Sequence, residues 1–208
     1  MRFNKLYIPW LMTAARAALG PVLILGERCR WSGFGLAALV AAALLSDIFD
    51  GVLARRWHGD TATVRLFDSM ADTIFYACAA VALFTGQHTL WTEWRNSLLL
   101  LAGAEAVNIA FNVAKFGKPA SYHSYLAKTW GLVLAATLMA VYATGHATLL
   151  FPLSIALGVA SNLEGVAMSL MLPVWRKDVK TLAAAWRLRG VLLRRAANEI
   201  RFASNVRA

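Results

Sequence analysis

The chain has 208 residues, of which 59% are hydrophobic and only 15% are charged. A soluble domain is usually about 45–50% apolar and about 25% charged, so the composition excludes an ordinary soluble domain and favours an integral membrane protein. Two cysteines, Cys29 and Cys78, lie far apart without a zinc-binding spacing and define no disulfide framework.

Six apolar segments are each long enough to cross a bilayer as a helix, which needs about 17–25 residues. In chain order they cover residues 8–26, 33–56, 62–86, 95–116, 124–145 and 148–175. The sequence therefore predicts an all-α fold with six transmembrane helices, in which residues 1–175 form one membrane domain.

The basic residues predict the orientation of these spans. With six spans both termini share one side, and 18 of the 21 Lys and Arg residues fall on that side, leaving only Arg28, Arg30 and Arg95 opposite. Because cytoplasmic loops carry the excess of Lys and Arg, we expect both termini in the cytoplasm. The alanine- and arginine-rich composition suggests a bacterial source, and hence the inner (plasma) membrane.

Residues 176–208 form a basic tail with nine basic and two acidic residues. Trp186, Leu188 and Leu192 mix with arginines at helical spacing, a pattern typical of an amphipathic helix on an anionic membrane surface. A basic tail is also typical of nucleic-acid binding, but the spans ahead of it favour lipid. We therefore expect an interfacial helix in contact with membrane lipids, and no nucleic-acid partner.

Four aspartates interrupt the second and third apolar segments. Asp47 and Asp50 lie three residues apart near the end of one predicted helix, and Asp68 and Asp72 lie four apart near the start of the next. Each spacing places its pair on one helix face, and the short connection makes the two helices antiparallel neighbours. We therefore expect the four carboxylates to meet in a cavity that opens to the cytoplasm.

Carboxylates near hydrocarbon are costly unless they are paired, hydrated or bound to metal. Four converging acids need neutralising, and hard divalent cations with oxygen ligands do so naturally, which predicts Mg²⁺ or Mn²⁺ as cofactor. Ion pairs with Arg55, Arg56 and Arg65 are an alternative. A path for divalent cations across the membrane is another, although no inverted repeat supports it.

Residues 47–72 read D-x-x-D-G-x-x-A-R, then eight residues, then V-x-x-x-D-x-x-x-D. This pattern resembles the signature of the CDP-alcohol phosphotransferase (CDP-alcohol phosphatidyltransferase) family at eight of nine positions, the family having glycine where this chain has Val64. The first segment, IPWLMTAARAALGPV, is similar to the family's first span, and six spans with cytoplasmic termini match its topology.

The resemblance implies a transferase of phospholipid biosynthesis. Such an enzyme moves a phosphatidyl or similar phosphoryl group from a CDP-linked lipid donor, such as CDP-diacylglycerol, to a small alcohol or alcohol-phosphate acceptor and releases CMP. By the same resemblance the metal ligands are Asp47, Asp50, Asp68 and Asp72. Asp72 would also act as the catalytic base on the acceptor hydroxyl. Residues matching the donor site are Gly51, Arg55 and Thr61, although Thr61 is equally well interpreted as a helix N-cap.

Candidate acceptor-binding residues lie on the fourth and fifth spans and in the loop between them. Lys118 and Lys128 flank the loop between those spans and suit a phosphate on the acceptor, although positive-inside charge alone also accounts for them. Glu105 shares one helix face with Asn108 and Asn112. That face either lines the acceptor pocket or makes hydrogen bonds between helices.

Three functional classes stay open at this point. The leading interpretation is a metal-dependent membrane phosphotransferase. A divalent-cation transporter is the second, and an inactive lipid-binding relative, suggested by Val64, is the third. The sequence names neither the acceptor alcohol nor the oligomeric state, and it leaves a homodimer open.

Overall fold

The computed structural model describes the backbone of residues 7–56 and 62–207. The side chains of residues 7–9, 51, 54–56, 62–66, 69 and 196–207 are outside that description. Within these ranges the fold is all-α, with seven helices and no strand, as the sequence predicts. The helices are α1 (Tyr7–Arg28), α2 (Gly33–Arg56), α3 (Ala62–Gly86), α4 (His88–Phe116), α5 (Tyr125–Thr144), α6 (Leu150–Met171) and α7 (Leu182–Arg207).

The helix ends follow local sequence signals. At the start of α2, α5 and α7 a side-chain hydroxyl accepts a hydrogen bond from a backbone N–H of the first turn, the role of an N-cap. These caps are Ser32, Ser124 and Thr181, each with a donor–acceptor distance of 3.1 Å. Helices α4 and α5 are followed by Gly117 and Gly145, both at positive φ, the left-handed conformation that commonly ends a helix.

Four of the helices are long and apolar enough to cross a membrane, among the residues described. They are Gly33–Asp50 within α2, His88–Phe116, Tyr125–Thr144 and Leu150–Met171. A shorter apolar stretch, Met70–Gly86, lies in α3. The composition and these helices make the chain a membrane protein. Within the described residues, the predicted spans in α1 and α3 are not among these four.

The chain divides into two compact units. The first unit comprises Met1–Arg95 and Leu134–Phe151. In it α1 packs against both α2 and α3. The Tyr142 hydroxyl of α5 donates a hydrogen bond of 3.0 Å to the Ala79 carbonyl of α3. Its apolar core includes Leu23, Leu36, Val40, Phe75, Leu83 and Val141.

The second unit comprises Asn96–Val133 and Pro152–Ala208. Its core cluster consists of Tyr122, Met168, Leu172, Val179 and Ala185. Leu188 and Leu192 of α7 pack against this cluster, so one stripe of the basic amphipathic helix is covered by protein. Outside that stripe Trp186, Leu193 and the arginines between residues 187 and 195 are exposed.

Candidate active site

The site is built where α1, α2 and α3 of the first unit meet. Thr13, Arg16, Gly20 and Leu23 of α1 are all buried, at the spacing of one helix face. Gly20 allows a close approach there, because a Cβ at this position would be crowded at 3.0 Å from Cys78 Cβ and 3.3 Å from Phe75 Cα, both on α3. The close approach of the two backbones brings the preceding turn of α1, with Arg16, up to α3.

Asp47, Asp50, Asp68 and Asp72, hereafter the aspartate cluster, come together as the spacing predicts. Asp47 and Asp50 stand on α2, and Asp68 and Asp72 stand on α3. Asp50 is buried, with a side chain 5% exposed. The other three side chains are between 34% and 42% exposed, so the cluster is closed behind Asp50 and open on its other side.

Arg16 lies at the centre of the cluster with a side chain only 1% exposed. Its Nη1 donates a hydrogen bond to Asp47 Oδ1 and lies 3.1 Å from Asp72 Oδ1. Its Nη2 donates to Asp68 Oδ1 and lies 3.3 Å from Asp50 Oδ2. Each terminal nitrogen therefore joins one carboxylate of α2 to one of α3.

The charges within this group do not balance. Four carboxylates against one guanidinium leave a formal charge of −3, and like charges this close repel strongly in a protein interior. Arg16 Nε is buried and, within the described part of the chain, has no hydrogen-bond partner. The cluster is thus held by Arg16 but not neutralised by it.

Three of the four carboxylates suit a metal ion. One ligand oxygen from each of Asp47, Asp50 and Asp68 lies within 4.8 Å of the others. Carboxylate oxygens gathered at such distances match the oxygen-ligand preference of Mg²⁺ and Mn²⁺, so these side chains fit the predicted cofactor. Asp72 is outside this group of three.

Several predicted donor residues are outside the described part of the molecule. Thr61 lies between the two described ranges, and the side chains of Arg55 and Val64 are not described although both residues belong to helices. Gly51 lies in α2 one residue beyond Asp50. The side chains of Arg55, Arg56 and Arg65, the alternative ion-pair partners, likewise lie outside the described residues. Among the described side chains, the arginine in contact with the aspartates is Arg16.

The candidate acceptor residues belong to the second unit. Lys128 is exposed on the first turn of α5. Lys118 is exposed beyond the end of α4, with its ammonium 5.4 Å from the centre of the Trp175 ring. Glu105 is half-buried on α4. Their role in acceptor binding stays a prediction.

Asn108 and Asn112 of α4, which share a face with Glu105, make hydrogen bonds between helices. Asn108 Nδ2 donates to Asn162 Oδ1 of α6 at 2.9 Å, and Asn112 Nδ2 donates to Asn108 Oδ1 at 2.9 Å. Ser169 of α6 donates to Asn112 Oδ1 at 2.7 Å. The Tyr122 hydroxyl lies 2.7 Å from Ser169 Oγ. These five residues are called the asparagine network below.

Arg16 is the member of the site that the sequence reasoning missed, because it was counted only among the cytoplasmic positive charges. A signal for it was present. Arg16 is the one charged residue between positions 6 and 26, and a charged side chain inside an apolar span usually pairs with another or lines a functional cavity.

The helices and the site define a class: a membrane protein in which four aspartates from two helices converge on a cation. The chain belongs to the CDP-alcohol phosphatidyltransferase family, whose model matches residues 6–175. This match confirms the resemblance drawn from the motif at residues 47–72.

Similar relatives include proteins named CDP-diacylglycerol–glycerol-3-phosphate 3-phosphatidyltransferase. They come from Escherichia coli (strain K12), Escherichia coli O157:H7 and Shigella flexneri serotype 5b (strain 8401). Each is 38% identical to this chain over 93 residues, which cover 44% of this chain and 50% of the relative. The chain thus spans about half the length of the curated relatives it matches. No solved structure matches it.

Proposed function

We propose that this protein transfers the phosphatidyl group of CDP-diacylglycerol to an alcohol acceptor and releases CMP, as a step in phospholipid synthesis. The observation that carries the proposal is the convergence of Asp47, Asp50, Asp68 and Asp72 in a chain of this family. Glycerol 3-phosphate is the first candidate acceptor, because it stands in the names of the relatives.

In this proposal Asp47, Asp50 and Asp68 hold Mg²⁺ or Mn²⁺. When bound, the metal would neutralise the donor's diphosphate and stabilise the charge on the leaving CMP. The three carboxylates supply hard oxygen ligands from two helices whose relative position is fixed by packing. Gly51 and Arg55 follow on the same helix, and by the family pattern they receive the nucleotide and its diphosphate.

Asp72 is proposed as the base. The acceptor hydroxyl oxygen forms a bond to the phosphatidyl phosphorus, the bond from that phosphorus to CMP breaks, and the hydroxyl proton passes to the Asp72 carboxylate. Two observations support this division of labour. Asp72 lies outside the group of three carboxylates suited to a metal, and its side chain is 37% exposed, which leaves room for an incoming hydroxyl.

For the acceptor we propose that Lys128 and Lys118 bind a phosphate group and that Glu105 contributes to the same pocket. The two lysines are exposed and carry charge of the right sign. Glu105 is the weakest of the three candidates, since its neighbours Asn108 and Asn112 are engaged between helices.

For topology we propose six spans, both termini in the cytoplasm and residence in a bacterial inner membrane. In this arrangement residues 1–175 are the membrane domain, and the exposed face of α7 in residues 176–208 contacts anionic lipid. Reporter fusions at the carboxyl terminus and in the loops after α3 and α4 test the orientation. A periplasmic signal from the carboxyl-terminal fusion would overturn it.

The activity is tested by incubating the purified protein in detergent with CDP-diacylglycerol, Mg²⁺ and one acceptor at a time. Acceptors to compare are glycerol 3-phosphate, inositol phosphate, serine and choline. We expect CMP release with one of them, and none in excess chelator. A folded protein that binds the donor but releases no CMP with any acceptor would instead be the inactive relative that Val64 suggests.

A further inference from the structure

We propose that Arg16 is an internal cation that occupies the aspartate cluster in the metal-free protein and is displaced when a divalent metal binds. The inference rests on the proposed metal site, and it concerns what holds that site together before the metal arrives. Arg16 contacts the same three carboxylates whose oxygens suit a metal, and it contacts Asp72 as well.

The geometry of the contacts is the first argument. A guanidinium has two terminal nitrogens in a rigid, planar fork. Nη1 joins Asp47 to Asp72, and Nη2 joins Asp50 to Asp68, so one side chain of α1 bridges α2 to α3 twice. A divalent ion on Asp47, Asp50 and Asp68 would use carboxylates that Arg16 now engages, so the two cations compete for the same ligands.

The balance of charge is the second argument. Arg16 places a positive charge against all four carboxylates, and carboxylates gathered this closely without positive charge disfavour ionisation of all four. Arg16 lowers that cost but leaves a formal charge of −3. A divalent ion supplies one more positive charge than a guanidinium, so a metal in place of Arg16 leaves a formal charge of −2 on the four carboxylates instead of −3.

Burial is the third argument. Arg16 is 1% exposed, yet its Nε has no hydrogen-bond partner within the described residues. A buried donor without a partner costs free energy. This cost offsets part of the stabilisation that the four ion pairs give to Arg16 in its present position. Its side chain is therefore suited to leave when a stronger cation arrives.

The test measures metal binding and stability without any substrate. Wild type and Arg16→Gln are purified in detergent with Mg²⁺, stripped with chelator and titrated with Mn²⁺, while free Mn²⁺ is read by electron paramagnetic resonance. We expect Arg16→Gln to bind Mn²⁺ at least tenfold more tightly than wild type. We also expect it to unfold at a lower temperature in chelator and to gain more in unfolding temperature from Mn²⁺.

A matched control is Arg28→Gln, which removes an exposed arginine of the same helix, 12 residues or about 18 Å away at 1.5 Å per residue. It should behave as wild type in both measurements. Asp47→Asn should lose Mn²⁺ binding, which shows that the signal comes from the cluster.

If Arg16 has only a structural role, its removal should not strengthen Mn²⁺ binding. If Arg16 only shapes the ligands, Arg16→Gln binds Mn²⁺ equally or more weakly, and the proposal is overturned. If Arg16→Gln cannot be purified, Arg16→Lys is the second test of the proposal, because lysine keeps the positive charge but lacks the two terminal nitrogens of the guanidinium. We expect Arg16→Lys to bind Mn²⁺ more tightly than wild type by a smaller factor, and equal or weaker binding overturns the proposal.

Failure of this inference and failure of the metal site give different results. Should neither wild type nor Arg16→Gln bind Mn²⁺, the metal centre of the proposed function is wrong, and the displacement of Arg16 by metal is then wrong as well. Should wild type bind Mn²⁺ and Arg16→Gln bind it no better, only the role of Arg16 is wrong.

Discussion

Two polar clusters interrupt the apolar interior of this protein, the aspartate cluster of the first unit and the asparagine network of the second. The asparagine network is neutral, and amides and hydroxyls donate to and accept from one another at 2.7–2.9 Å. Burial raises the pKa of the Tyr122 hydroxyl, against the opposing effect of its hydrogen bond to Ser169, so that member also stays uncharged at neutral pH.

The two clusters differ in what they are suited to do: the asparagine network holds helices together, and the aspartate cluster is suited to chemistry. Neutral groups that satisfy one another join α4 to α6 and need nothing further. The four carboxylates of the aspartate cluster and Arg16 together carry a formal excess of three negative charges, which suits a divalent cation. In the proposed function a metal and a charged substrate enter from the open side of the cluster, formed by Asp47, Asp68 and Asp72.

The largest effect should come from removing charge from the three metal ligands of the proposed function. We expect Asp47→Asn, Asp50→Asn and Asp68→Asn each to abolish Mg²⁺-dependent donor binding and turnover together. The loss should exceed the roughly 10²–10³-fold that follows removal of one stabilising hydrogen-bond donor. Calorimetry with the CDP-linked donor and CMP release measure the two properties. The control is Glu93→Gln, an exposed acid of the same unit, and unchanged binding and rate in all three variants would make the cluster structural.

The next largest effect distinguishes the proposed base, Asp72, from the metal ligands within the aspartate cluster. Asp72→Asn keeps the size of the side chain but removes the proposed base, so turnover should fall by ~10²–10⁴ while donor affinity stays within about tenfold of wild type. The measurement is CMP release at saturating acceptor beside donor calorimetry on one preparation. Donor binding that collapses as in the other three variants would make Asp72 a metal ligand instead.

A smaller effect is expected from Lys128 in the second unit. A charge-assisted contact to a phosphate contributes about 1.5–3 kcal/mol, and the exposure of Lys128 favours the lower end. Lys128→Ala should therefore raise the acceptor KM about tenfold with little change in the donor KM. Lys177→Ala, another exposed lysine of this unit, is the control. An acceptor KM indifferent to Lys128 would remove it from the pocket.

The smallest effect should come from the asparagine network. Ser169→Ala leaves Asn112 Oδ1 and Tyr122 without their shared partner, which costs about 1 kcal/mol and lowers the unfolding temperature by roughly 2–4 °C for a chain of this size. CMP release should be unchanged. Thr129→Ala serves as control, since that exposed hydroxyl donates a hydrogen bond to the Tyr125 carbonyl of its own helix. A large loss of activity in Ser169→Ala would mean that the network takes part in the chemistry.

Sequence reasoning predicted the local features of the site well. The i, i+3 and i, i+4 spacings placed each aspartate pair on one helix face. The two pairs meet at Arg16 of α1, which packs against both α2 and α3. The helical register of Asn108 and Asn112 was equally predictable. These features depend on residues close in the chain, for which helix geometry alone determines which side chains share a face.

Long-range partners were harder to predict. Arg16 is 31 residues from Asp47 and 52 from Asp68, and spacing along one helix says nothing about which other helix it meets. The same holds for α7, whose amphipathic pattern predicted a lipid surface. Part of its apolar stripe, at Leu188 and Leu192, instead covers the protein cluster at Met168 and Leu172. An apolar stripe looks alike whether lipid or protein buries it.

The position of Arg16 has a consequence for how the chain is made. Its helix is synthesised before the acids that pair with it, and the ribosome adds about 5–20 residues per second. The 52 residues that separate Arg16 from Asp68 therefore correspond to roughly 3–10 s. During that interval the acids available to Arg16 are at most Asp47 and Asp50 of the second helix. The first helix can pack into its final place only when the third helix emerges.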